Sequence, residues 1–260
     1  MSALRTSTMS PLFQARMGGF CWFMCFLTSI YPLVISGRII VAGDAATTAT
    51  NLLANEALFR SGTAALLIST AFYVAATLFV YEVLKPVNRS LSLLAAFFSL
   101  LGCAVGTFSC LFDFVPFILL KGAPYLNGFT SGQVQGLSYM FLVLRARAND
   151  IGLVFFGLHC FGVGYLIVRS NFLPRLVGLL MVMAGLGWLT FLFPPLAQGL
   201  APFNMLPGAI GELSLTFWLI IKGLNVQRWN ETREIFCRAS LSDAGSNGLP
   251  SHRDGLQLLN

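Results

Sequence analysis

The chain has 260 residues, of which 56% are hydrophobic and 10% charged, with a formal net charge of +6. Soluble domains carry roughly 25% charged residues, so this composition excludes an ordinary water-soluble globule. It fits helices that satisfy their own backbone and turn apolar side chains, 24 of them Phe, toward lipid. The positive charge is scattered in ones and twos at the ends of apolar runs. That pattern excludes nucleic acid as a partner and reads as a topology signal.

A bilayer core of about 30 Å takes about 20 helical residues. Runs near 17–36, 61–84, 90–115, 150–169, 174–194 and 206–222 meet that length. The first follows Arg5 and Arg16 as a signal peptide would, but it is long and its end, VISGR, has no small-x-small cleavage pattern, so a retained helix is expected. Before the second run, Gly43 and Asp44 offer a turn and an N-cap. Ala45, Ala49, Leu52, Leu53 and Ala57 then share one face, predicting a short surface helix. KPVNRS joins the second and third runs as a tight hairpin. The next connection breaks at Gly122 to Pro124 and resumes with Val134, Leu137, Phe141 and Leu144 on one face, predicting a second surface helix lying on the bundle. RSNFLP closes a second hairpin. After Lys222 the chain turns polar; its first stretch is expected to extend the sixth helix, and residues beyond about Ser240 to be disordered. The expected architecture is all-α and polytopic: residues 1–226 form six transmembrane helices with two outer amphipathic surface helices, and 227–260 form a cytoplasmic, largely disordered tail.

Eleven of the 16 Lys and Arg fall on the side of the termini and five on the other. That bias predicts both termini in the cytoplasm and the chain in the cell inner (plasma) membrane.

Depth sorts the ionisable residues. Asp150 and Arg169 mark the two ends of the fourth run, about 28 Å apart, and His159 falls midway. Glu212 stands ten residues before Lys222, as His159 does before Arg169, so the two share a depth. A lone carboxylate there costs on the order of 3 kcal/mol, which makes His159 the candidate partner of Glu212. That pair reads either as a polar clasp between helices or as a ligand anchor. Asp113, about 36 Å beyond Arg89 along its helix, reaches the outer mouth, where Asp44, Arg145 and Asp150 also lie. His252 falls in the tail, so the chain lacks the ligand set of a haem or zinc centre, and no metal or cofactor is expected. The six cysteines show no CxxC and read as small buried hydrophobes. Trp188, Trp218 and Trp229 read as interfacial anchors, and Gly102 with Gly106 as a small-xxx-small packing face, open to a second copy of the chain. P-loop, dinucleotide-binding, GxSxG and HExxH signatures are absent from the sequence.

The blocks RMGGFCWF, VAGDAATTATNLLANEALFRSG, LKPVNRSLSLLAAFF, DIGLVFFGLHCFGVGYLIVRSNFLPRLVGLLMVMAGLGWL and GELSLTFWLIIKGLN resemble the bacterial membrane family known as domain of unknown function 4386. The likeness covers roughly residues 14 to 226. It implies a six-helix integral membrane protein and carries no particular chemistry.

The expectation is therefore non-catalytic: a pocket between the third, fourth and sixth runs, open to the outer leaflet or exterior, binding or passing a small lipophilic molecule. Its candidate residues are His159, Glu212, Asp113, Asp150 and Arg145. An intramembrane enzyme using His159 and Glu212, or a structural subunit of a membrane complex, are the alternatives.

Overall fold

The computed structural model describes residues 9–122 and 124–246. Ser10 opens the first helix, its hydroxyl accepting from the Phe13 N–H at 3.1 Å with a proline at the first turn, and α1 (Pro11–Ile39) follows. Gly43, at φ +79°, makes the turn into α2 (Ala45–Ala54), which Asp44 caps through the Thr47 N–H at 2.9 Å. The sequence expectation of a short helix running into the second span holds, with a break at Asn55 before α3 (Glu56–Leu84). The hairpin after Leu84 ends at Asn88, whose side chain caps α4 (Arg89–Ser109). A 3-10 turn, Cys110–Asp113, bends the chain into α5 (Val115–Leu120).

The second predicted surface helix does not exist as a separate element. A capping box of Thr130 and Gln133 starts α6, which runs unbroken over Ser131–Arg169. Its 39 residues span about 58 Å, roughly twice a bilayer core. The stretch LRARAND contains neither proline nor glycine, so the amphipathic segment and the fourth span fuse. The outer half of α6 is packed by α2 and α5 instead of lying on lipid. Ile35, Ile39, Leu52, Phe59, Phe117 and Leu142 form a small second core there, and the Tyr139 hydroxyl accepts from the Gly43 N–H at 2.8 Å.

Pro174 starts α7 (Arg175–Leu189). Between it and α9 (Leu206–Ile221) lies α8 (Pro194–Leu200), a short helix the sequence reading left unassigned. The sixth helix is not extended into the tail. Gly223, at φ +68°, turns the chain, and α10 (Val226–Ser246) folds back. Trp229 is buried and donates its indole N–H to the Val83 carbonyl at 2.9 Å, and Arg228 reaches the Asn171 carbonyl. The helix passes Ser240; residues 247–260, where the rest of the expected disordered tail falls, lie outside the described residues.

Among the described residues, six helical segments are long and apolar enough to cross a membrane, and no strand occurs. Each spanning helix packs on the one before it and the one after it, and α9 returns to α1, so the six close into an up-and-down ring. Small residues set the tight seams. A methyl group on Gly164 would stand 2.7 Å from the Gly178 carbonyl oxygen, and one on Gly185 2.8 Å from that of Gly157, which locks α6 to α7. Gly102 is used in the same way, against Phe156 and Gly152 of α6, so it is covered inside the chain and is not part of a free face; Gly106 has open space beside it.

Candidate functional site

The axis of the ring carries polar groups from four helices. Trp22 of α1, Tyr73 of α3 and His159 of α6 form a ring triangle with centroid separations of 5.7, 6.1 and 6.1 Å. Trp22 and His159 are each 1% exposed and Tyr73 is 8%. Trp22 Nε1, Tyr73 Oη and His159 Nε2 are all buried without a hydrogen-bond partner, as is Thr216 Oγ1 of α9. Thr216 stands on α9, which packs on α1: a methyl on Gly19 would touch Leu219, and the Phe23 and Phe217 rings meet at 6.0 Å. The four residues stand about 9 to 18 Å from the Arg or Lys nearest the inner end of each helix, within the bilayer core.

His159 is oriented by its neighbour. Its Nδ1 lies 2.9 Å from the Ala95 carbonyl oxygen of α4, and a carbonyl only accepts, so Nδ1 carries the proton. Gly162, one turn further along α6, permits this approach, because a methyl there would sit 3.1 Å from the Ala95 methyl. In the neutral ring, Nε2 is then a bare acceptor.

Glu212 is not its partner. Its Oε1 accepts the Trp188 indole N–H at 2.7 Å and contacts the Cys160 thiol at 3.5 Å. His159 and Cys160 are adjacent on α6 and about 100° apart around it, so the histidine turns to α4 and the cysteine toward α9. Shared depth was legible in the sequence; rotation about the helix axis was not. Trp188 is correspondingly no interfacial anchor. Gly208 makes room for it, since a methyl there would collide with the indole at 2.3 Å.

The residues expected at the outer mouth divide into three groups. Asp113, 2% exposed in its side chain, sits 2.7 Å from Arg145 Nε in a charge contact too bent for a hydrogen bond, and accepts from the Thr63 hydroxyl at 2.9 Å. Asp150 pairs with Arg147 at 3.1 Å. Asp44 is used as a helix cap; the Thr47 hydroxyl and N–H hold its carboxyl below the ordinary aspartate range. Arg145 and Asp150 nevertheless share the wall of an outer cleft of about 280 Å³ with Ser29, Ser36, Leu66 and Ser109. Ser29 and Leu66 lie seven residues outward of Trp22 and Tyr73, so the cleft floor is about 10 Å above the unpaired cluster. Toward the termini the axis is filled by Ala15, Val80, Ile167, Leu215 and Leu219 around a void of about 10 Å³, room for a single water at most. A separate groove of about 380 Å³, between α1, α3 and α10, opens beside Gln14, Lys85 and Arg233.

The described cysteines are free, Cys237 exposed and the other five buried. Among the described residues no three His, Cys, Asp or Glu side chains come together in a way that would hold a metal ion. Trp22, Tyr73 and Thr216 were not singled out from the sequence. The available signal was a phenol in the middle of one apolar run and an indole inside another, where each needs a hydrogen-bond partner that lipid cannot supply.

Fold and site together describe a multi-pass membrane protein whose helix ring encloses unpaired polar groups. The chain belongs to the family described as Domain of unknown function (DUF4386), whose model matches residues 17–223. It is 27% identical over 146 residues to an uncharacterised protein of Archaeoglobus fulgidus, covering 55% of this chain and 72% of that one. No solved structure matches.

Proposed function

We propose that this protein binds, or passes, a small lipophilic molecule within the membrane, without chemistry, the molecule entering from the outer cleft and seating against Trp22, Tyr73, His159 and Thr216. One observation carries the reading: four buried side chains from four helices each keep a polar atom unpaired, three of them within one triangle of ring contacts. Leaving such a group unsatisfied costs about 1 to 3 kcal/mol apiece, so a cluster of them favours an occupant outside the chain that completes the bonds. The open outer cleft and the filled inner axis favour access from one side. The charge bias supports reading that side as the exterior and both termini as cytoplasmic, with the plasma membrane as the proposed location. The enzyme reading loses its proposed pair, because Glu212 is bonded to Trp188 and not to His159.

Native mass spectrometry of the chain released from its own membrane tests this. One retained small molecule per chain is expected, lost in the Tyr73→Phe/His159→Phe double variant. A parent protein that carries nothing overturns the reading.

A further inference from the structure

The groove between α1, α3 and α10, on the side of the termini, combines free cations, an unmet amide and an apolar floor. Trp229 fixes one wall: its indole N–H is bonded to the Val83 carbonyl, and the Arg233 guanidinium stands 5.7 Å over its ring, with no carboxylate partner among the described residues. On the other wall Lys85 is partly exposed and pairs with Glu82, which occupies one of its three N–H donors. The polar end therefore sets two basic groups against one acid, a net of one positive charge. Gln14 lines the same space. It is 7% exposed, and its side-chain amide makes no hydrogen bond among the described residues, so a buried donor borders the groove unmet.

These groups are ordered by depth. Gly18 faces Phe79 and Val80, and Cys25 is bonded to Ser69, so α1 and α3 run antiparallel with Gln14 up to one helical turn deeper in the membrane than Lys85. Phe79 and Leu78 lie deeper still, Leu78 seven residues or about 10 Å from Lys85 and exposed to lipid. Charge, then a lone donor, then apolar surface is the order in which a diacyl phospholipid presents its phosphate, its ester carbonyls and its chains. We propose that this groove of about 380 Å³ binds an anionic phospholipid from the leaflet on the side of the termini, with Lys85 and Arg233 on the phosphodiester, Gln14 on an ester carbonyl, and Leu78 and Phe79 against a chain. A choline headgroup fits less well, because its own ammonium balances the phosphate and would meet Lys85 and Arg233. A fatty-acid anion held by the two cations has no second carbonyl for Gln14. The site is separate from the ring axis and does not rest on the binding reading above.

The test titrates the delipidated full chain in dodecyl maltoside with phosphatidylglycerol or phosphatidylcholine of identical acyl chains and counts bound lipids by native mass spectrometry. Phosphatidylglycerol should bind about fivefold tighter, the factor that one unbalanced basic charge of about 1 kcal/mol produces. Lys85→Gln/Arg233→Gln leaves Glu82 alone at the polar end and should abolish the preference. Arg89→Gln/Arg175→Gln removes two exposed basic residues outside the groove and should preserve it. If the first double variant fails to fold, Arg233→Gln, at an exposed position, should still reduce the preference by at least half. Dialkyl phosphatidylglycerol, which lacks the ester carbonyls, should bind several-fold more weakly than the diester. Equal binding of the two headgroups, or equal losses in the two double variants, overturns the site. Displacement of phosphatidylglycerol by oleate at equal concentration overturns the diacyl assignment, and displacement by soluble glycerol phosphate overturns the lipid as its source.

Discussion

Removing Arg145 should destabilise the protein far more than removing Arg145 and Asp113 together. The two lie 2.7 Å apart, Asp113 at 2% and Arg145 at 19% side-chain exposure. At an effective dielectric constant of about 20 their gross attraction is about 6 kcal/mol, most of it offset by the cost of taking both charges out of water. In Arg145→Ala the Asp113 carboxylate keeps only the Thr63 hydroxyl. The expected loss is about 3 kcal/mol, the low end for a broken buried pair because the guanidinium is partly wet. Asp113→Asn, which leaves an arginine able to reach water, should cost about 1 to 2 kcal/mol. The double variant Arg145→Met/Asp113→Asn carries no uncompensated charge and should fall within about 1 kcal/mol of the parent. Reversible unfolding in mixed micelles, read by circular dichroism, gives the cycle. Losses that add to within about 0.5 kcal/mol would refute a direct pairing and with it the tie between the Cys110–Asp113 turn and α6.

Three further outcomes follow from the same geometry. Gly208→Ala should drive the Trp188 ring off Glu212, lowering stability by about 2 to 4 kcal/mol through overpacking and the lost bond, with a change in tryptophan emission that Gly106→Ala, facing open space, does not share. Asp44 has a folded-state pKa below its ordinary 3.8, so its capping contribution is complete above that value and is lost as pH falls through the lower folded value. Amide exchange at Thr47 and Thr48 should accelerate only below about pH 3.8, and Asp44→Asn should abolish that dependence. Cys237 is exposed and the other five cysteines are buried. A membrane-impermeant maleimide should therefore label the chain in inverted vesicles and not in intact cells, the reverse result contradicting cytoplasmic termini.

What the sequence made legible follows the strength of each physical signal. Spans of about 20 apolar residues and hairpins punctuated by Pro174 and Asn88 are over-determined by lipid, and they appear where the pattern set them. The fusion of the fourth span with its outer amphipathic segment was not legible, because periodicity reports which face of a helix is apolar and not whether two helical stretches are collinear. The return of α10 was hidden for a related reason: Gly223 marks a stop, but only the packing of Trp229 on Val83 shows where the chain goes afterwards. At the site, the pairing of Asp113 with Arg145 could be approached by depth alone. The partners of His159 and Glu212 could not, since a rotation of about 100° per residue decides between neighbours such as His159 and Cys160.

An experimental density map of the ring axis, from crystals or from cryo-electron microscopy of the chain bound to a rigid antibody fragment, bears most directly on the central claim. The account predicts non-protein density within hydrogen-bonding distance of Trp22 Nε1, Tyr73 Oη and His159 Nε2, continuing as an apolar body toward Leu66. A map in which these atoms bond only to one another, or to isolated waters, would contradict it.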